Sequence, residues 1–292
     1  MFAFRKSIVR RLIFVLALTV IVITAALLKY HYAMQRLLEQ GASGRTNSFQ
    51  PFASRQFDGV DVRTFLDARV ALLFVSDHFP PTNEFLASFR SNRVITGVKS
   101  SGCAAAIDRR GYFLTAAHCV DAKEFRMFGR EFKTNGIVLR IMTARVVWQG
   151  DHGKGEPDLA ILRIKRPIDC AFDLADEAEN NAPVMAVGML RKDTTVFATM
   201  EFLGGTITGV QQRTGSEAGA IITTDVPLQP GDSGGPLVDT KGRLVAIDTE
   251  AFYPPGHGLL PGGYLSHSEH PDWKWVKEIV EKDFRDTGTA DK

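Results

Sequence analysis

Gly231-Asp232-Ser233-Gly234-Gly235-Pro236 is the stretch that decides how the chain is read. A serine stands among glycines, follows an aspartate and is closed off by a proline. A nucleophilic hydroxyl needs a backbone that turns sharply behind it, and glycine permits the angles. The N–H groups of Gly231 and Ser233 are then candidates to meet a carbonyl oxygen as it gains negative charge. Such preorganised donors are often the largest single contribution to catalysis. The same six residues also suit an ordinary turn, since Gly, Asp, Ser and Pro favour turns for simple steric reasons. The rest of the chain has to choose between these readings.

Two other patterns bear on the choice. In Leu114-Thr-Ala-Ala-His-Cys119 an apolar strand runs into a small-residue turn that carries His118. In Glu156-Pro-Asp-Leu-Ala-Ile-Leu162 an aspartate, Asp158, stands directly before an apolar strand. Taken singly, each has a bland reading. A lone histidine is structural or sits on the surface, and an aspartate before a strand is a turn residue. Together they supply a histidine, an aspartate and a serine in that order. Serine is a weak nucleophile without a base, and the base needs an acid to hold its tautomer and stabilise its charged form.

Thr115-Ala-Ala-His-Cys119, Asp158-Leu-Ala-Ile-Leu162 and Gly231-Asp-Ser-Gly-Gly-Pro236 resemble, in order, the three signatures of chymotrypsin-like (trypsin-fold) serine endopeptidases. The resemblance spans roughly residues 65–285. It implies an all-β fold of two perpendicular antiparallel barrels with the site in the cleft between them. It assigns Ser233 as nucleophile, His118 as base, Asp158 as the acid behind it, and the Gly231 and Ser233 N–H groups as the oxyanion hole. Cys103 precedes Cys119 by sixteen residues, matching the family's disulfide beside the histidine, so the resemblance implies a Cys103–Cys119 bond. Cys170 is then left over, as a buried thiol or an intermolecular bridge. Within the family, Thr224 to Asp239 is similar to the nucleophile segment of the bacterial HtrA/Deg-like branch. Members of that branch usually carry a C-terminal peptide-binding PDZ domain. About 30 residues follow Gly263 in this sequence, fewer than such a domain needs, so regulation of that kind is not expected.

Two departures from the family matter. Asp232 occupies the place of an aspartate that, in secreted trypsin-like enzymes, pairs with an N-terminus freed by cleavage. Arg93-Val-Ile-Thr-Gly97 lies too close to Cys103 to be that cleavage site, so Asp232 is expected to bond locally, with no partner nameable from sequence. The position six residues before the nucleophile, where trypsin has an aspartate that recognises Lys or Arg, is Pro227. With Leu228 and Ile247 it would line an apolar pocket for small or medium side chains. Asp225 reaching that pocket by another loop path would restore a basic preference.

Composition sets the outer bounds. The 292 residues are 45% hydrophobic and 23% charged, ordinary for a globular chain, with 26 glycines and 13 prolines for turns. A net charge of +2 offers no case for nucleic-acid binding. His257, His267 and His270 lack metal-ligand spacing, so no metal is expected, and the chemistry asks for no cofactor. Oligomeric state is not legible.

The N-terminus carries Arg5, Lys6, Arg10 and Arg11 before an uncharged apolar run over 12–28. That length is at the short end of what spans a bilayer. The basic excess keeps the N-terminus cytoplasmic and sends the remainder across. A cleaved signal and a buried helix are the competing readings. The expected organisation is a cytoplasmic tail at 1–11, an anchor at 12–28, a juxtamembrane linker at 29–60 and a protease domain at 61–292, facing the periplasm or exterior of a bacterium.

After the linker, Val70 to Val75 reads as a buried strand and Thr82 to Phe89 as a short helix. Short strands are expected at 94–99, 102–107, 111–115, 125–128, 136–149, 159–164, 184–189, 196–199, 202–212, 219–226, 236–239 and 243–251. Trp273, Val276, Ile279, Val280 and Phe284 recur at helical spacing and predict a C-terminal amphipathic helix. The chain therefore reads as a membrane-anchored serine endopeptidase acting on envelope or extracytoplasmic proteins and peptides. Its rivals are a catalytically silent or latent binding protein on the same fold, and an esterase with the same three residues.

Overall fold

Val70-Ala-Leu-Leu-Phe-Val75 is apolar at every position because both of its faces are covered. Ala71 and Leu73 point into one core, while Val70, Leu72 and Phe74 point into another. This strand sits in the middle of the first of two β units. The structure, a computed structural model, describes residues 52, 54–76, 100–120, 125–133, 136–151, 154–192, 195–213, 219–229, 231–252 and 265–288. The expected membrane span at 12–28, most of the linker, the helix at 82–89 and the strand at 94–99 lie outside them. Among the described residues no helix is long and apolar enough to cross a membrane.

The chain enters with a two-residue ladder, β1 (Gln56–Phe57) on β2 (Val60–Asp61), and a short helix α1 (Val62–Asp67) capped by the Asp61 carboxylate. Then follow β3 (Val70–Val75), β4 (Ser100–Asp108), β5 (Tyr112–Thr115), a 3-10 turn (Ala117–Val120), β6 (Phe125–Lys133), β7 (Gly136–Met142), β8 (Ala144–Gln149) and β9 (Ala160–Ile164). These form an antiparallel seven-stranded sheet in the order β7-β6-β3-β4-β5-β9-β8. The second unit comprises β10 (Pro183–Lys192), β11 (Thr195–Gln212), β12 (Ala220–Thr224), β13 (Pro236–Asp239), β14 (Leu244–Phe252) and β15 (Leu265–His270). It is a closed barrel, β10-β11-β12-β15-β14-β13. Helix α2 (Trp273–Gly288) ends the described chain.

One expectation changes. Only the second unit closes. The first is an open sheet whose two edges are β7 and β8. They are separated by Thr143 alone, too short a link for a hairpin, so they meet at a corner without pairing. The expected strand at 136–149 is thus two strands. The expected strands at 196–199 and 202–212 are one, β11, bent by a register shift between Ile207 and Gly209.

Three cores result. Ala71, Leu73, Ala104, Phe113 and Leu162 fill the first sheet. Val184, Leu203, Ile222, Leu237 and Ala246 fill the barrel. Between them, Leu72, Phe74 and Ile161 meet Met185, Val187, Val238 and Ile247, joined by Trp273, Val276 and Val280 of α2. Alternation along each strand sends successive side chains to different cores.

The expected Cys103–Cys119 disulfide is not formed, and this is a correction. Cys103, Cys119 and Cys170 are all free thiols. Cys103 faces the core between the two units, whereas Cys119 sits in the core of the first sheet. It is Gly102, one residue earlier and therefore on the other face of β4, that lies under Cys119. A Cβ there would come within 2.8 Å of Cys119 Sγ. The match of spacing misses by one residue, which in a strand means the opposite face.

Candidate active site

Each of the three candidate catalytic residues hangs on a junction between strand and turn. His118 stands in the 3-10 turn that follows β5. Asp158 precedes β9, the neighbour of β5, so the sheet itself brings the two segments side by side. Their contact is threefold. Ala117 N donates to Asp158 O at 3.2 Å, His118 N donates to Asp158 Oδ1 at 3.0 Å, and His118 Nδ1 meets Asp158 Oδ2 at 2.6 Å. One carboxylate thus holds both the backbone and the ring of His118. With Nδ1 committed, Nε2 is the nitrogen on the opposite edge of the ring. The bond to Asp158 pushes the His118 imidazole up to about 10, with the neighbouring Cys119 thiol the next contributor. The ring is 45% exposed, so water screens the pair and moderates that rise.

Ser233 comes from the second unit and is bolted to both. Its carbonyl accepts from Cys103 N of β4 at 2.8 Å and from Cys119 Sγ at 3.7 Å, next to His118. Gly234 N donates to Asp248 O of β14 at 2.7 Å, and Asp248 N returns a bond to Gly235 O at 2.8 Å. Gly234 has no substitute here. Its φ is +79°, and a Cβ would lie 2.1 Å from Cys103 O and 2.2 Å from Thr115 Oγ1.

The N–H groups in the loop divide cleanly. Those of Asp232, Gly234 and Gly235 donate to the carbonyls of Gln229, Asp248 and Asp232. Those of Gly231 and Ser233 donate to no protein acceptor among the described residues. They are the two N–H groups named from the sequence. Ser233 Oγ turns to the Thr249 carbonyl at 3.4 Å, and no hydrogen bond joins it to His118 among the described residues.

Asp232 finds a local partner. It is 1% exposed, its Oδ2 accepts from Gln229 N at 2.8 Å, and its side chain packs over Gly188. Beneath it lies Asp248, fully buried. Asp248 Oδ1 accepts from Ser268 Oγ at 2.7 Å, whereas Oδ2 has no hydrogen-bond partner among the described residues. Burial pushes the Asp248 carboxyl well above the usual carboxylate range, and nearby Asp232 adds to the rise.

The residues named for a specificity pocket lie at different depths and in different cores. Pro227 is half-buried, Leu228 belongs to the barrel core and Ile247 to the core between the units. Asp225 is turned away as well. Its Oδ1 accepts from Thr206 N of β11 at 2.5 Å. No metal-holding cluster occurs among the described residues. Asp248, Thr249, Arg213 and Glu269 were not singled out by sequence reasoning. The last of these sits on β15, Leu265-Ser-His-Ser-Glu-His270, whose alternating polar residues hide a strand that apolar counting passes over.

The pattern of the family described as a trypsin-like peptidase domain matches residues 101–247, just over half of the chain. The chain belongs to this family. Among similar proteins, Protease Do-like 8, chloroplastic, of Arabidopsis thaliana is 27% identical over 195 residues, covering 61% of this chain and 42% of that protein. A probable periplasmic serine protease do/HhoA-like of Haemophilus influenzae is 30% identical over 161 residues, covering 50% of this chain and 30% of its own length. The chain spans less than half the length of these curated relatives. The crystal structure of the serine endoprotease from Yersinia pestis superposes with a TM-score of 0.50 at 21% identity, over 76% of this chain and 65% of that one, a likeness of fold. The trypsin-like peptidase match begins in β4 and ends in β14, so it takes in His118, Asp158 and Ser233 together.

Proposed function

We propose that the chain is a serine endopeptidase working through Ser233, His118 and Asp158. The observation that carries this reading is the 2.6 Å bond from His118 Nδ1 to Asp158 Oδ2, beside a serine flanked by two N–H groups without protein acceptors. Ser233 Oγ attacks the peptide carbonyl carbon as its proton passes to His118 Nε2. The Gly231 and Ser233 N–H groups receive the oxyanion. His118 then protonates the leaving amine, and a water molecule repeats the sequence to free the acyl group. Asp158 holds the ring and stabilises its cation.

A fluorophosphonate probe tests the reading. It is expected to label the wild-type protein and not Ser233→Ala. A folded wild type that resists labelling both alone and with an unfolded protein added would overturn the assignment. Relative turnover of matched peptide and ester substrates separates a peptidase from an esterase on the same residues.

One observation favours a second reading, a latent enzyme: Ser233 Oγ is engaged by Thr249 O and not by His118. Labelling that appears only after addition of an unfolded protein would favour latency.

The location we propose is the outer face of a bacterial inner membrane, held by residues 12–28, with residues 1–11 cytoplasmic, 29–60 as linker and 61–292 acting on envelope proteins. The support is the charge asymmetry around the apolar run. Alkaline phosphatase fused after the domain is expected to be active, and carbonate washing is expected to leave the protein in the membrane.

A further inference from the structure

Arg213 and Glu269 form an ion pair that touches the segment carrying Asp158 at both ends. Glu269 lies on β15, between Ile221 of β12 and Ile247 of β14, and is 5% exposed. Arg213 follows β11. Its Nε donates to Glu269 Oε2 at 3.1 Å, and a second guanidinium nitrogen donates to Glu269 Oε1. The planar guanidinium fork suits such a two-point grip on a carboxylate. The remaining guanidinium nitrogen, NH1, donates to Gly155 O at 3.4 Å. The Glu269 carboxylate in turn accepts from the backbone N–H of Asp158. A charge pair of the barrel therefore holds residues 155–158 of the first sheet.

We propose that Arg213 and Glu269 are positioning residues for catalysis, a clamp across the two units that fixes Asp158 against His118. This rests on the triad reading above. The alternative, that the pair merely stabilises the fold, explains it poorly. A buried ion pair is weak support for stability, because desolvation offsets most of the attraction. This one is directed at two backbone atoms of the segment that leads into Asp158, Gly155 O and Asp158 N, and the Asp158 carboxylate must meet both His118 N and His118 Nδ1. Since Asp158 comes from one unit and Ser233 from the other, a link from the barrel to the Asp158 segment also sets the geometry between acid and nucleophile.

The test uses the full chain and a fluorophosphonate probe, resolving the maximal labelling rate from the half-saturating concentration. Glu269→Ala and Arg213→Ala are each expected to slow the maximal rate about 10- to 100-fold, as small misplacements of catalytic groups do. Half-saturation is expected to stay within about twofold, since no substrate contact is removed. The double variant is expected to be no slower than the slower single one, because the pair acts as a unit. Arg213→Lys and Glu269→Gln, which keep size and part of the bonding, are expected to fall between wild type and Ala. They serve if the Ala variants fail to fold. The downfield proton resonance of the His118–Asp158 bond is expected to weaken in Glu269→Gln. Folded variants that label at the wild-type rate, whatever their Tm, overturn the clamp alone. A wild type that does not label even with an unfolded protein added overturns the triad reading and the clamp with it.

Discussion

His118 and Asp158 illustrate how one carboxylate does two tasks. Its Oδ1 fixes the turn and its Oδ2 fixes the ring, so the acid sets both where His118 stands and which nitrogen faces outward. The pair also fixes the sign of the pH dependence. Asp158 stabilises the protonated imidazole, and only the neutral ring can accept the Ser233 proton. Labelling is therefore expected to rise with pH, with its inflection between the ordinary 6.5 and about 10. Asp158→Asn is expected to move that inflection down and to cost about 10⁴ in rate, the loss seen when the acid of such a triad is neutralised. An inflection unmoved by the substitution would show that Asp158 does not act on His118. Asp248 predicts a stability effect of definite direction. Its carboxyl is raised in the fold, so the folded chain keeps a proton that the unfolded chain releases above about 3.9. Stability then falls as pH rises from that value towards the raised one. Asp248→Asn removes this linkage, and its Tm is expected to exceed that of wild type by a margin that grows between pH 5 and pH 8. A constant margin would refute the assignment.

Helix α2 shows how an element is seated by a few directional contacts over an apolar stripe. Trp273, Val276 and Val280 are buried, as their spacing predicts, and Trp273 Nε1 donates to Ala175 O at 2.6 Å. On its other side Asp283 gathers Tyr112 Oη at 2.8 Å, Arg145 at 2.6 Å and Arg163 at 3.1 Å. Those three come from β5, β8 and β9, so one carboxylate ties the helix to the edge half of the open sheet. Phe284 stays 36% exposed, flanked by the Arg110 and Arg163 guanidinium groups. Asp283→Ala is expected to cost about 2 kcal/mol, since it orphans charged donors at a partly buried site. Urea denaturation measures it, and a loss under about 0.5 kcal/mol, typical of a surface position, would contradict the role. β15 is the counterexample for sequence reading. Its Ser266 and Ser268 point inward, where they bond to Thr224 Oγ1 and to Asp248. A strand whose buried positions are hydroxyls has no apolar period to detect.

Across the whole molecule, Ser233 and His118 belong to different units, and the proposed site depends on the contact between those units. Leu72, Phe74 and Ile161 from one side pack on Met185, Val187, Val238 and Ile247 from the other. The Ser233 loop is bonded to β4 and β14 at once. No disulfide reinforces the fold. Cys103, Cys119 and Cys170 are thiols, with the Cys103 thiol pushed well up by burial. The Tm is accordingly expected to be the same with and without dithiothreitol. A fall of several degrees in reductant would instead show that a disulfide is present, since losing a native disulfide costs about 2–5 kcal/mol.

The sequence alone determined what depends on local order. The three signatures carried the family. Apolar runs placed β3, β5 and β9, and helical spacing placed α2 with its buried face. The Gly231 to Pro236 stretch identified the loop and its two N–H groups, because glycine, serine and proline act through their own backbone angles. Only the tertiary structure decided what depends on facing. It put Cys103 and Cys119 in different cores, since one residue along a strand reverses the side. It gave Asp232 a partner in Gln229 N, left the first sheet open at Thr143, and put Leu228 and Ile247 in different cores. It brought Arg213 and Glu269 to the backbone around Asp158 from more than fifty residues away, and no local pattern records that meeting. Spacing along the chain fixes chemistry and period, but which side chains meet is set by strand register and by the packing of one unit on the other.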